Sequence, residues 1–258
     1  GTDQDLREAI PLLMAHPNIA PFVATRMIQH LVKSNPTPAY VKRVADKFVN
    51  NGKGVVGDMK AVVKAVLLDT EARTGDDPAK GRPDDGKLRE PVLHRMAMYR
   101  GLGCTKPIAN SWGGISVVWN QQPFAAESVF SFYAPTDRAP GSNVLAPEQK
   151  LLSPPEMTGR LGDLNGFRWD PKAQRNSMAA IQAAGCLTDP LVKAYAQSTR
   201  AFSDHISERW FRGAMPPTLR SNIDQMVRQP SWDTRTPEEG AVRMLSFALT
   251  TPYFGVIK

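Results

Sequence analysis

The apolar positions of this chain recur at helical spacing from its first residues. Leu6, Ile10, Leu13 and Met14 fall on one side of a 3.6-residue repeat, which predicts a helix over residues 3–15 with Thr2 or Asp3 as its cap. The "HPN" tripeptide breaks it, because Pro17 disfavours helical geometry at His16, and Asn18 is a suitable cap for the next helix. Residues 19–33 predict that second helix. Ile19, Ala20, Val23, Ala24, Met27, Ile28, Leu31 and Val32 cover more than half of its circumference, leaving Thr25, Gln29 and Lys33 on a polar arc. So wide an apolar face predicts a helix buried on several sides.

The punctuation continues downstream. Thr37 followed by Pro38 is a favoured helix start, and Tyr40, Val41, Val44 and Phe48 form the stripe behind it. "NNGKGVVG" predicts a turn, after which Asp58 opens a helix with Met59, Val62, Val63, Val66 and Leu67 inward. "TGDDPAKGRPDDG" reads as a polar loop, and residues 89–102 as a helix with Val92, Leu93, Met96 and Tyr99 periodic. Residues 103–170 lose helical periodicity and are rich in Pro, Gly and aromatics, among them Trp112, Trp119, Phe124, Phe130, Phe132, Tyr133, Phe167 and Trp169. "ISVVW" is a candidate short strand there. Helices resume over residues 171–184, 190–212, 216–228 and 237–250, the last with Thr236 as cap, Pro237 in the first turn and acids beside it. The expectation is an all-α fold: one helical domain over residues 1–258, a multi-helix orthogonal bundle with a long irregular insertion that is aromatic- and proline-rich.

Composition adds bounds. A chain of 258 residues with 41% hydrophobic and 22% charged residues can bury a full core. The net charge of +7 is spread along the sequence. Its densest local excess, Lys42 to Lys64, sets six basic residues against Asp46 and Asp58. That pattern without a reading motif predicts a solvated basic face and no nucleic-acid partner; polyanion binding through it would weaken steeply with salt. No apolar run reaches the ~18 residues of a membrane span. Cys104 and Cys186 lack CxxC spacing, which argues against structural zinc and leaves open a disulfide or two buried thiols.

Six polar residues are the candidate binding positions. His16 sits at a helix corner, where imidazole serves as a base or bonds a neighbouring backbone group. Arg26 and His30 lie one turn apart, and a guanidinium there suits a carboxylate or phosphate. Arg89 and Glu90 stand at a helix start in "LREP", and Glu148 lies in the irregular region as a partner for Arg26 or Arg89. HExxH, GxSxG, GxxxxGK[ST] and CxxCH are all absent, so no catalytic residue, metal or cofactor is assigned.

Segments from end to end carry a resemblance. "HPNIAPFVATRMIQHLVKSNPTPAYVKRVADKF", "GDMKAVVKAVLLDTEAR", "KLREPVLHRMAMYR", "QQPFAAESVFSFYAP" with "LAPEQKLL", and the closing "RMLSFALTTPYF" resemble a bacterial family, domain of unknown function 1800, in the family's order. His30 stands where the family often has Arg, and Ser131 where Asn is common. The resemblance implies the C-terminal half of a longer, exported protein, periplasmic or secreted. It implies as partners that protein's N-terminal half and a protein of a second family, domain of unknown function 1501. With no catalytic motif, the expected role is a binding or scaffold component. The alternative is an enzyme whose site is completed by the N-terminal half, using polar groups of the HPN and LREP motifs.

Overall fold

Threonine, aspartate and serine caps fix where several helices begin. The structure, a computed structural model, describes residues 1–75, 77, 79–106, 121, 124–129, 131–156, 184–227 and 236–257. These residues form an all-α fold of eleven α-helices, one 3-10 helix and a two-stranded sheet. The order is α1 (Thr2–Met14), α2 (Ile19–Leu31), α3 (Pro38–Val49), α4 (Met59–Leu68), α5 (Thr70–Gly75), β1 (Lys87–Leu88), α6 (Pro91–Gly101) and a 3-10 turn (Pro147–Leu152). Then come α7 (Asp189–Gln197), α8 (Thr199–Phe211), α9 (Pro217–Val227), α10 (Pro237–Thr250), α11 (Pro252–Gly255) and β2 (Val256–Ile257), which pairs with β1. Among the described residues no helix is long and apolar enough to cross a membrane. The expected "ISVVW" strand, the helix over residues 171–184, and Trp112, Trp119, Phe130, Phe167 and Trp169 lie outside them.

The chain divides into two compact units. The first comprises Gly1–Lys87, Pro135–Pro147 and Ile257–Lys258. Its core is built from stripes four residues apart: Ala20, Ala24 and Ile28 on α2, Tyr40, Val44 and Phe48 on α3, and Val62 and Val66 on α4. Each large apolar side chain buried this way stabilises the unit by about 1.5–3 kcal/mol before entropy. Thr37 Oγ1 accepts from the amide of Tyr40 at 3.2 Å, and Asp58 Oδ1 from those of Lys60 and Ala61 at 3.0 and 3.2 Å, as their sequence positions predict.

Four expectations in this unit are corrected. α1 starts at Thr2 after Gly1 with no side-chain cap, so neither Thr2 nor Asp3 caps it. Asn18 precedes α2 without a side-chain cap bond. Met59 and Leu67 are exposed on α4, because the inward stripe is the narrower Val62–Val66 pair. Gln29 and Lys33, placed by helical projection on the solvent arc, are buried, because their polar ends meet hydrogen-bonding partners from other segments.

The second unit comprises Leu88–Ala134 and Glu148–Val256. Its core gathers Met98 and Leu102 with Leu191, Phe202, Ile206, Trp210, Leu219, Ile223, Leu245, Leu249 and Phe254. Cys104 and Cys186 form a disulfide, flanked by backbone bonds from Leu187 to Leu102 O and from Thr105 to Ala184 O. The helix expected over residues 190–212 is two, α7 and α8. Ser198 between them takes an extended conformation, and its Oγ accepts from the amide of Ala201 at 3.0 Å. The face of α6 is also corrected. It buries His94, Arg95, Met98 and Tyr99 and leaves Leu93 exposed, because the inward positions carry polar residues that a hydrophobic count misses.

Candidate functional site

The six sequence candidates fall three to a unit. In the first, His16 is exposed at the α1–α2 corner, and its Nδ1 accepts from the amide of Asn18 at 3.1 Å. This bond fixes the corner that Pro17 opens. Arg26 is half-buried on α2, and its Nη1 donates to Gln29 Oε1 at 2.8 Å. His30 is exposed. In the second unit, Glu90 precedes α6, where Pro91 leaves the first amide position without a donor; Glu90 makes no side-chain cap bond and accepts from Gln121 Nε2 at 2.8 Å. Gln121 Oε1 in turn accepts from the amide of Val92 at 3.0 Å. Glu148 is buried in the 3-10 turn. Arg89 lies over the ring of Phe254, 4.2 Å from its centroid, while His94 meets the same ring edge-on at 4.8 Å. Burial, and then the neighbouring Arg212 charge, push the Arg89 guanidinium down to about 10, so it remains a cation at neutral pH.

Among the described residues the densest polar constellation uses none of these six side chains. Lys33 is 2% exposed, and its Nζ donates to Glu71 Oε1 at 3.1 Å and to Asp85 Oδ1. Glu71 also accepts from Thr37, through its amide at 3.2 Å and its hydroxyl. Asp85 accepts from the amide of Arg82 at 2.7 Å. Arg43 grips Asp69 through Nε and Nη2, both at 2.7 Å. Lys87, also buried, donates to the carbonyls of Gln29 and His30 at 3.2 and 3.3 Å, placing a cation at the C-terminal end of α2 where the helix dipole favours it. Gln29 Nε2 bridges Ser34 O and Pro135 O, and Asn35 Oδ1 accepts from the amide of Leu145, so the α2–α3 corner also anchors the returning segment 135–147.

These contacts fix charge states. Burial alone would push the Asp85 carboxyl up, but the Lys33 ammonium and the Arg82 amide outweigh it and hold it below the usual carboxylate range. Asp69 behaves likewise: burial raises it, and Arg43 with the Glu71 amide brings it lower. Tyr40, whose hydroxyl donates to Val66 O at 2.5 Å, is pushed above the ordinary tyrosine range by burial and then by the Asp69 and Glu71 charges. Above this network opens a cleft of about 250 Å³ lined by Arg43, Thr70, Glu71, Thr74, Arg82 and Asp85. Asp85 and Asp69 stay anionic, so neither serves as a proton donor near neutral pH, and Tyr40 keeps its proton. Among the described residues no group of three or more His, Cys, Asp or Glu side chains is placed to hold a metal ion. What the arrangement does chemically is lock the segments around residues 33–37, 69–71 and 82–87 to one another through charge-assisted bonds.

The sequence signal for this network is weak but present. Acidic residues in a Gly- and Pro-rich loop read as solvated charge, and nothing in "GRPDDGK" distinguishes Asp84 from the buried Asp85. A lysine immediately after a strongly apolar helix is the available clue. Residues 1–256 match the family model described as a protein of unknown function (DUF1800). No curated protein and no solved structure matches the chain.

Proposed function

The chain belongs to the DUF1800 family, and from that premise we propose that it is a binding or scaffold component of an exported assembly. The observation that carries this reading is α1. Leu6, Ile10 and Leu13 share one face of it and are 59%, 58% and 65% exposed, and the helix has no buried residue at all. It also lacks a side-chain cap and contains Pro11. A helix of this length is marginal in water without a packed face, and an interior proline weakens it further. An apolar face that stays on the outside is the mark of an interaction surface. Asp3, Asp5 and Glu8 around it suit a protein partner with basic residues at its rim. The partners this role fits are the N-terminal half of the same protein and a protein of the domain-of-unknown-function 1501 family. The disulfide supports export to an oxidising compartment, periplasmic or extracellular. His16 and Arg26 each hold a local hydrogen bond and Glu90 one from Gln121, which favours this role over an enzyme built on the HPN and LREP motifs.

The test is hydrogen exchange on α1 amides, alone and with the co-expressed 1501-family protein or with the natural full-length protein. Exchange within seconds in the isolated chain and strong protection in the complex are expected, with Leu6→Asp/Leu13→Asp abolishing association. Unchanged α1 exchange in both settings would sink the proposal.

A further inference from the structure

We propose that the turn between α3 and α4 docks the protein on an anionic lipid surface. Residues 50–58, "NNGKGVVGD", form a turn whose amides are bonded by its own asparagines. Asn50 Oδ1 accepts from the amides of Gly52 and Gly54 at 2.8 and 3.0 Å. Asn51 Oδ1 accepts from the amides of Lys53 and Val55 at 2.8 and 3.3 Å. The four successive amides from 52 to 55 are therefore satisfied inside the turn. Asn51 is itself held, its Nδ2 donating to Asp58 Oδ2 at 2.7 Å and its amide to Val55 O at 3.2 Å. Gly52, Gly54 and Gly57 supply the positive φ values of 95°, 77° and 72° that this path needs. In water such amides find solvent; in a lipid interface an unsatisfied amide is costly, and internal satisfaction removes that cost.

The side chains at the turn match this. Val55 and Val56 are 50% and 55% exposed, and Val49 and Met59 at the adjoining helix ends are exposed too. Four exposed lysines occupy the turn and the helices on either side of it: Lys47, Lys53, Lys60 and Lys64, the last two one turn apart on α4. None of the four forms an ion pair among the described residues, whereas Lys42 is held by Asp46 and Arg43 by Asp69. Asp58, the acid within the turn, bonds Asn51 and the first amides of α4, and its charge also interacts with Lys60. Exposed valines in a turn with exposed, long-stemmed lysines in and beside it fit the boundary where acyl chains meet anionic headgroups. A nucleic acid would use the lysines and have no use for the valines. The exposed face of α1 carries acidic neighbours and does not suit the same surface.

Vesicle co-sedimentation of the intact chain tests this, using phosphatidylglycerol-rich vesicles, pure phosphatidylcholine vesicles and a DNA duplex. Binding is expected to the phosphatidylglycerol vesicles only, falling as salt rises. Lys53→Glu/Lys60→Glu should weaken it by about fivefold or more per residue. Val55→Ser/Val56→Ser, exposed changes that leave the far-UV circular dichroism unaltered, should weaken it about tenfold. No preference for phosphatidylglycerol vesicles would overturn the proposal. So would binding indifferent to the valine changes and matched by DNA, which would make the turn a general polyanion surface.

Discussion

Lys33 Nζ holds Glu71 and Asp85 at once, from segments 38 and 52 positions further along the chain. Removing one member of a buried ion pair strands the others, and the cost is about 3–5 kcal/mol. Lys33→Met is therefore expected to lower the stability of the first unit to urea by that amount, although methionine fills nearly the same volume. Less than about 1 kcal/mol lost would mean the carboxylates are solvated after all. The network also sets an acid limit. Asp85 and Asp69 have folded pKa values below their unfolded ones, so they contribute stability above the unfolded value near 3.9. That contribution is lost as pH falls through the lower folded values. Stability of the native chain should decline below about pH 4, and in Lys33→Met the Asp85 part of that decline should vanish.

At the level of elements, helix ends decide what periodicity does not. α2 stops at Leu31, and Val32 leaves helical geometry at φ −130° and ψ −67°. Lys33 therefore no longer keeps to the 100° progression of the helix, and its side chain turns inward toward Glu71 and Asp85. Elsewhere an element's path depends on a missing side chain. A Cβ on Gly101, at the end of α6, would lie 2.1 Å from Trp210 Nε1 of α8. Gly101→Ala should force these helices apart and destabilise the second unit by about 2–3 kcal/mol, with a red shift in tryptophan emission. Unchanged emission and stability would show that Trp210 has another rotamer open to it. Gly240 is similar, its Cβ position 2.5 Å from Tyr195 Oη, and the same change there is a useful companion.

The whole molecule has two cores, and covalent reinforcement belongs to one. The Cys104–Cys186 bond closes a sequence separation of 82 residues in the second unit, which by loop-closure entropy is worth about 4.5 kcal/mol. Reduction, or Cys104→Ser/Cys186→Ser, should accelerate amide exchange around Leu191, Phe202 and Leu245. Exchange around Tyr40 and Val62, in the core of the first unit, should stay as it was. Equal loosening of both cores would show that the two units unfold as one.

Local rules were legible where the chain's chemistry acts within one turn. The starts at Thr37, Asp58 and Thr236 arise from oxygen side chains reaching amides two or three residues on, and the stripes of α2, α3 and α4 from the 3.6-residue repeat. The family resemblance, too, lay in the sequence and is shown by the match over residues 1–256. The fates of Lys33, Asp85, His94 and Arg95 were decided elsewhere. A buried charge is stable only if its partner arrives from a distant segment, and a sequence records the residues without recording which of them meet. The same holds in reverse for Leu6, Ile10 and Leu13, whose apolar pattern predicted a helix face but not that it would stay exposed among the described residues.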